Sequence, residues 1–239
     1  MLRRNRSVFL TAGLLVTAAI CSSPVTAQLI GPYPSANTPY LSFADSPFNG
    51  GSFSYFYLET FEDHLFNVPG VSASAGGVTS VVFGPNIHDS VDADDGTIDG
   101  SGLQGDSYFS NSGPVGYTFT FDAATLGALP THAGIVWTDG ADAITFEAFD
   151  ANGVSLGTQT GTHANNSFSG ETAEDRFYGV VHASGLSAIK ISSGAAGIET
   201  DHLQYGFGGV ATVPEPNSVT FLGGLALLGT SFLLRRTRR

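Results

Sequence analysis

Cysteine is almost missing from this chain: among 239 residues there is one, Cys21, and it lies near the N-terminus. Residues 28–213 therefore have no disulfide to staple them, no thiolate nucleophile and no sulfur ligand for zinc. They must be held by an apolar core, sheet hydrogen bonds or an oxygen-bound metal. Positive charge is scarce as well. Seven of the nine Lys and Arg residues sit at the two ends, which leaves Arg176 and Lys190 for everything between. Of the 21 Asp and Glu residues only Glu215 lies outside that body, so 20 acids against two bases set its charge near −18. Such a surface repels nucleic acid and anionic lipid and excludes both as partners. It suits binding of cations or of a neutral polymer such as polysaccharide, and it suits plain solubility. Helical periodicity over three turns is also absent from the body. So are a Gly-x-Ser-x-Gly elbow, a phosphate-cradling glycine loop and a His-Glu-x-x-His zinc motif, and the six histidines (His64, His88, His132, His163, His182, His202) are scattered. No catalytic residue is expected, and the body reads as non-enzymatic.

What is present at the ends is directional. Arg3, Arg4 and Arg6 precede an apolar stretch from Val8 to Ile20, and Pro24-Val25-Thr26-Ala27 closes the segment on small residues. That is a secretory signal peptide over 1–27, with cleavage after Ala27 by signal peptidase and delivery by the secretion machinery. This stretch of 13 residues is too short to span a bilayer core of about 30 Å. Cys21 follows the bulky Ile20 rather than a small residue, which argues against lipid attachment.

At the other end, residues 211–239 contain Val213-Pro214-Glu215-Pro216, an apolar run to Leu234, and the tail Arg235-Arg236-Thr237-Arg238-Arg239. The span 218–234 reads as a short transmembrane helix, dotted with Gly223, Gly224 and Gly229. Its arginines stay on the cytoplasmic side and leave everything before Pro214 outside. Pro-Glu-Pro, short glycine-dotted helix and arginine cluster, in that order, resemble the PEP-CTERM sorting signal. The resemblance implies recognition of Pro214, Glu215 and Pro216 by an exosortase-type membrane protease. It also implies a transient membrane anchor, then a cell-surface or matrix destination.

Between the signals, residues 28–50 carry Pro32, Pro34, Pro39 and Pro47 and read as a Pro/Ser-rich leader without regular structure. Residues 51–210 carry strand patterns. Val115, Tyr117, Phe119 and Phe121 alternate with Gly116, Thr118 and Thr120, so each set should share a face. Val78–Phe83 is a strand candidate, and Phe53–Leu58, Gly134–Thr138, Ala143–Phe149, Arg176–Val181, Ser187–Ser192 and His202–Phe207 are others. Asn152-Gly153 predicts a tight hairpin joining Thr145–Phe149 to Val154–Thr158. Asp122 should cap a single short helical turn. Nine or so short strands without helices predict an all-β fold, a jelly-roll-like antiparallel β-sandwich, with a barrel as the alternative. Glu59-Thr-Phe-Glu-Asp63, Asp175-Arg-Phe-Tyr-Gly179 and Ile198–Gly206 resemble the jelly-roll domains of exosortase substrates, a likeness that implies no particular activity.

The densest acidic run, Asp89 to Asp99, offers Asp92, Asp94, Asp95 and Asp99 as oxygen ligands for a structural calcium. The order is one residue short of an EF-hand, and no Glu closes the loop. A likeness to jelly-roll carbohydrate-binding modules, in which the terminal strands share a calcium, implies a second candidate in Glu59 (or Glu62) with Asp201. Trp137 reads as core within its apolar strand, with a sugar-stacking platform of Trp137, Tyr108, Tyr117 and Tyr178 as the alternative. The functional expectation is a non-catalytic surface or matrix protein associated with exopolysaccharide. A secreted carbohydrate-active hydrolase and a purely structural coat or adhesion protein are the alternatives.

Overall fold

The computed structural model describes residues 26–35, 37–84, 89–195 and 197–209. The predicted signal peptide, sorting motif, membrane helix and basic tail lie almost wholly outside these residues. Among the described residues no helix is long and apolar enough to cross a membrane.

The strands are β1 (Gln28–Tyr33), β2 (Phe53–Glu59), β3 (Val71–Ala73), β4 (Gly77–Val78), β5 (Tyr108–Ser110) and β6 (Tyr117–Phe121). They continue as β7 (His132–Gly140), β8 (Ile144–Asp150), β9 (Ser155–Gly161), β10 (Arg176–Val181), β11 (Leu186–Ser193) and β12 (Ile198–Gly208). Two helices of one turn each, α1 (Thr79–Phe83) and α2 (Ala123–Leu126), interrupt them. All pairings are antiparallel, in two sheets. The larger runs β1-β10-β7-β12-β5-β4, with β2 also on β12; the smaller runs β3-β6-β11-β8-β9. The fold is therefore an all-β sandwich.

Alternation builds the core between the sheets. Tyr117, Phe119 and Phe121 of β6 and Phe146 and Ile144 of β8 meet Ile135, Trp137, Tyr178 and Tyr205 of the larger sheet. Trp137, Tyr117 and Tyr178 are fully buried and Tyr108 nearly so, which makes them core and removes them as a sugar platform. Val115 does not join its expected face; it lies before β6 and is 74% exposed.

The Asn152-Gly153 hairpin forms as expected, with Thr145 opposite Thr160 and Phe146 opposite Gln159. Asp150 accepts from the Asn152 and Val154 amides, and Gly153 takes the left-handed angle the turn needs (φ 76°). Asp122 caps α2 by accepting from the Ala124 amide at 3.0 Å.

Two readings need correction. Val78–Phe83 is a strand for one residue only and then turns into α1. Asp106 explains the change: its carboxylate takes the Ser80 amide at 2.9 Å and the Thr79 hydroxyl, anchoring the first turn of α1. Val81 is left 71% exposed. Residues 28–50, read from their prolines as an irregular leader, are part of the sandwich. β1 pairs with β10, and Tyr40 and Phe48 join Ile30, Val91, Val136, Phe177 and Val181 in a second apolar cluster. Odd and even residues of β7 and β10 are thus buried on opposite faces, Ile135 and Tyr178 inward, Val136 and Phe177 outward.

Candidate functional site

β12 is the hub of the larger sheet. One edge pairs with β7 over Ile198–Asp201 and Gln204–Gly206; the other is shared, β5 opposite Ile198–Thr200 and β2 opposite Leu203–Gly208. Between those two partners β12 bulges at Asp201 to Gln204, with His202 at φ 47°. The loop that begins at Asp89 plugs this opening. The Val91 amide donates to Asp201 Oδ2 at 2.9 Å, and the Asp89 amide to Glu199 Oε2 at 2.8 Å. Gly102 closes the loop against Ser90, whose carbonyl would lie 1.9 Å from any Cβ at that position. The Ser101–Glu171 bridge then ties the loop to the segment before β10.

This closure gathers carboxylates at one end of the sheet. Glu199 on β12 stands directly opposite Asp139 on β7. Like charges in that register destabilise a sheet unless something offsets them. A bulge at Thr138 separates this pair from the regular Trp137–Thr200 pairing, a common way to re-aim side chains beside a site. Asp89 descends from the loop, and Glu174 and Asp175 come from the turn before β10. Carboxylate oxygens of Asp89, Asp139 and Glu174 lie within 4.8 Å of one another. All five acids are buried, Asp89 to 1% exposure. Among the described residues, both oxygens of Asp89, both of Asp175 and Oδ1 of Asp139 have no hydrogen-bond partner. Arg176 is the cation in this neighbourhood, and its Nη1 donates to the carbonyls of Ala173 and Asp175.

The electrostatics follow. Burial, then the neighbouring Asp139, Glu199 and Glu174, push the Asp89 carboxyl up to about 10. Burial pushes Asp139 to about 7, Glu174 to about 7 and Glu199 to about 8. Asp175 rises well above the carboxylate range through burial and its neighbour Asp89.

Above Asp89, Asp139 and Glu199 opens a cavity of about 240 Å³. Phe83, Leu103, Phe109 and Phe168 line it together with Gly140, Gly170 and Gly197. Phe83 and Phe109 meet edge to face at 4.5 Å, while Phe168 is 73% exposed.

The acids singled out in sequence fall elsewhere or apart. Asp92 is buried and spends its carboxylate on the Asp99 and Gly100 amides, at 3.1 and 2.9 Å. Asp95 and Asp99 accept from the Thr97 and Ser101 amides, the ordinary work of Asp in a turn. Asp94 reaches His202 Nε2 at 2.8 Å. Glu59 accepts from the Phe61, Asn67 and Val68 amides, although β2 and β12 are neighbours as expected. Asp201 groups with Asp94 and His202 instead of Glu59. In that group both imidazole nitrogens are engaged, Nε2 by Asp94 and Nδ1 by the Tyr40 hydroxyl at 3.2 Å. Sequence reasoning missed Asp139, Glu174, Asp175 and Glu199. The available signal was acids inside or abutting strand patterns, where a side chain is buried by default.

One serine, histidine and aspartate also converge, Ser80, His64 and Asp106. Ser80 Oγ and Asp106 Oδ2 both address His64 Nδ1, at 3.1 and 2.8 Å. A nucleophilic relay needs the two ring nitrogens separately engaged, so this is a loop clasp.

The model of a known sorting signal matches the C-terminal end of the chain, over residues 212–239. These residues are a PEP-CTERM protein-sorting motif. The PEP-CTERM motif marks the chain for export, membrane-anchored sorting and processing by an exosortase. No curated protein matches the chain. Pro214, Glu215, Pro216 and the tail Arg235, Arg236, Arg238 and Arg239 fall within the PEP-CTERM match and outside the described residues.

Proposed function

We propose that the exported body is a non-catalytic component of the cell surface or extracellular matrix that associates with exopolysaccharide. The observation that carries this reading is the cavity lined by both aromatic rings and carboxylates on an acidic, exported sandwich. Aromatic faces accept the polarised C–H face of a sugar ring, and carboxylates accept its hydroxyl protons. A neutral polymer also escapes the repulsion that the body's charge imposes on anions. The sandwich is read as jelly-roll-like, with β2 beside β12 in keeping with that reading.

Affinity electrophoresis of the full chain in detergent, through gels containing xylan, galactomannan or dextran, tests the proposal. Retardation by at least one polymer is expected. Phe168→Ala should weaken it about fivefold, since an exposed aromatic contact is worth roughly 1 kcal/mol. Migration unaffected by any polymer would favour a purely structural coat or adhesion protein. A second reading, a carbohydrate-active hydrolase, draws on Asp139 and Glu199 facing each other with raised pKa values. Release of reducing ends from those polymers would establish it in place of the first.

Sorting has its own test. Glu215→Ala should leave the C-terminal segment attached and the protein in the membrane fraction, where the native chain is processed. Processing at the native rate would show that Pro-Glu-Pro is not what the protease reads.

A further inference from the structure

The orphaned oxygens of Asp89 and Asp175 are the feature of this molecule that nothing so far explains. Buried polar atoms are almost always partnered. Protonation would remove the charge but not the deficit, because a protonated carboxyl still has a donor and acceptors to satisfy. Ordered water could fill the hydrogen bonds but could not offset, among the described residues, five acids against one arginine. A divalent cation does both at once.

We propose that Asp89, Asp139 and Glu174, with Asp175 and Glu199 around them, form a calcium site that locks the loop beginning at Asp89 onto the larger sheet. The donor set is all oxygen, which suits a hard cation and offers no imidazole or thiolate to select zinc. Calcium takes six to eight oxygens in adaptable geometry, whereas magnesium demands a near-ideal octahedron and keeps its waters. The ligands arrive from three separate pieces of chain. Asp139 comes from β7, Glu174 from the turn before β10, and Asp89 from a loop whose own amide is fixed by Glu199. The cation thereby offsets the like-charged Asp139–Glu199 register. The other candidate group, Asp94, Asp201 and His202, has its imidazole already satisfied on both sides and asks for nothing further. The site stands independently of what the cavity above it binds. Two of its ligands, Asp89 and Asp139, also line that cavity.

The test uses the full chain in detergent, stripped with chelator and dialysed. Calcium chloride should bind saturably by isothermal titration calorimetry. At 100 times its Kd it should raise the melting temperature by about 5–11 °C. Magnesium chloride at the same concentration should raise it by less. Asp89→Asn and Asp139→Asn should each abolish the calcium response, while Asp99→Asn, exposed and outside the cluster, should retain it in full. Asp139→Asn removes a repelled charge and Asp89→Asn replaces a carboxyl that burial holds neutral, so in chelator at pH 8 both should melt at or above the native temperature. No binding heat and no shift in the native chain overturns the proposal, whatever the variants do. An undiminished calcium response in both Asp89→Asn and Asp139→Asn overturns it equally.

Discussion

Stripped of calcium, the protein should lose stability as pH is raised from 5 to 8.5. The groups that decide this are Asp89 in the loop, Asp139 on β7, Glu174 and Asp175 before β10, and Glu199 on β12, with Glu171 adding repulsion and Arg176 opposing it. Each of the five cluster carboxyls has a folded pKa above its unfolded value, so the folded state holds the extra protons. Their contribution is fully present below about pH 4. It is lost as pH rises through about 7 for Asp139 and Glu174, about 8 for Glu199 and about 10 for Asp89. A rise of about three units in one group is worth about 4 kcal/mol. Two such groups already amount to a large share of a stability of about 5–15 kcal/mol. Calcium binds the deprotonated forms and displaces their protons, so its stabilising effect should grow with pH and flatten or reverse the trend. Urea midpoints of stripped and calcium-loaded protein at pH 5, 7 and 8.5 measure both slopes. A stripped protein that gains stability between pH 5 and 8.5 would mean that these acids are solvated and repel little.

This behaviour was hidden in the sequence for a physical reason. The five acids are drawn from residues 89 to 199, and only register places them together. Asp139 meets Glu199 because β7 and β12 pair with a bulge at Thr138, which no local pattern announces. The run Asp89 to Asp99 reads as a metal loop because its acids are dense, yet only Asp89 faces the cluster. Density in a loop mostly serves the loop, and here Asp92, Asp95 and Asp99 hold backbone amides within it. What was legible was local or strongly periodic. The alternation of Tyr117, Phe119 and Phe121, the Asn152-Gly153 hairpin and the cap at Asp122 each follow from a few neighbouring residues. The sorting motif was legible too, because three parts in fixed order serve as its recognition signal. Residues 28–50 look irregular in sequence because proline breaks most regular structure. Pro32 lies in β1, a strand at the edge of the sheet, where a missing amide costs little.

Those residues set up the second large effect. Phe177→Ala should destabilise the protein by about 3–5 kcal/mol, the usual cost of emptying a buried phenylalanine site. For a domain of this size that is a fall in melting temperature of roughly 6–20 °C. The Phe177 ring is fully buried on the outer face of the larger sheet, stacked on Tyr40 at 6.2 Å and edge-on to Phe48 at 5.3 Å. Beneath it the strands carry Gly134 and Gly179, paired across β7 and β10, so the ring lies directly on the backbone. A Cβ on Gly134 would come within 2.2 Å of that ring and 2.6 Å of the Tyr178 carbonyl, and the carbonyl cannot yield. Gly134→Ala should therefore also destabilise, although alanine costs less backbone entropy on folding than glycine. Losing the ring removes what Tyr40 and Phe48 pack against. Tyr40 keeps its amide bond to the Asp175 carbonyl and its hydroxyl bonds to His202 and Gln204. Limited proteolysis should then cut the variant between residues 34 and 50, where the native chain resists. Urea unfolding gives the magnitude and proteolysis gives the place. A loss under 1 kcal/mol with no new cleavage would mean that residues 28–50 cover the sheet without contributing to its core.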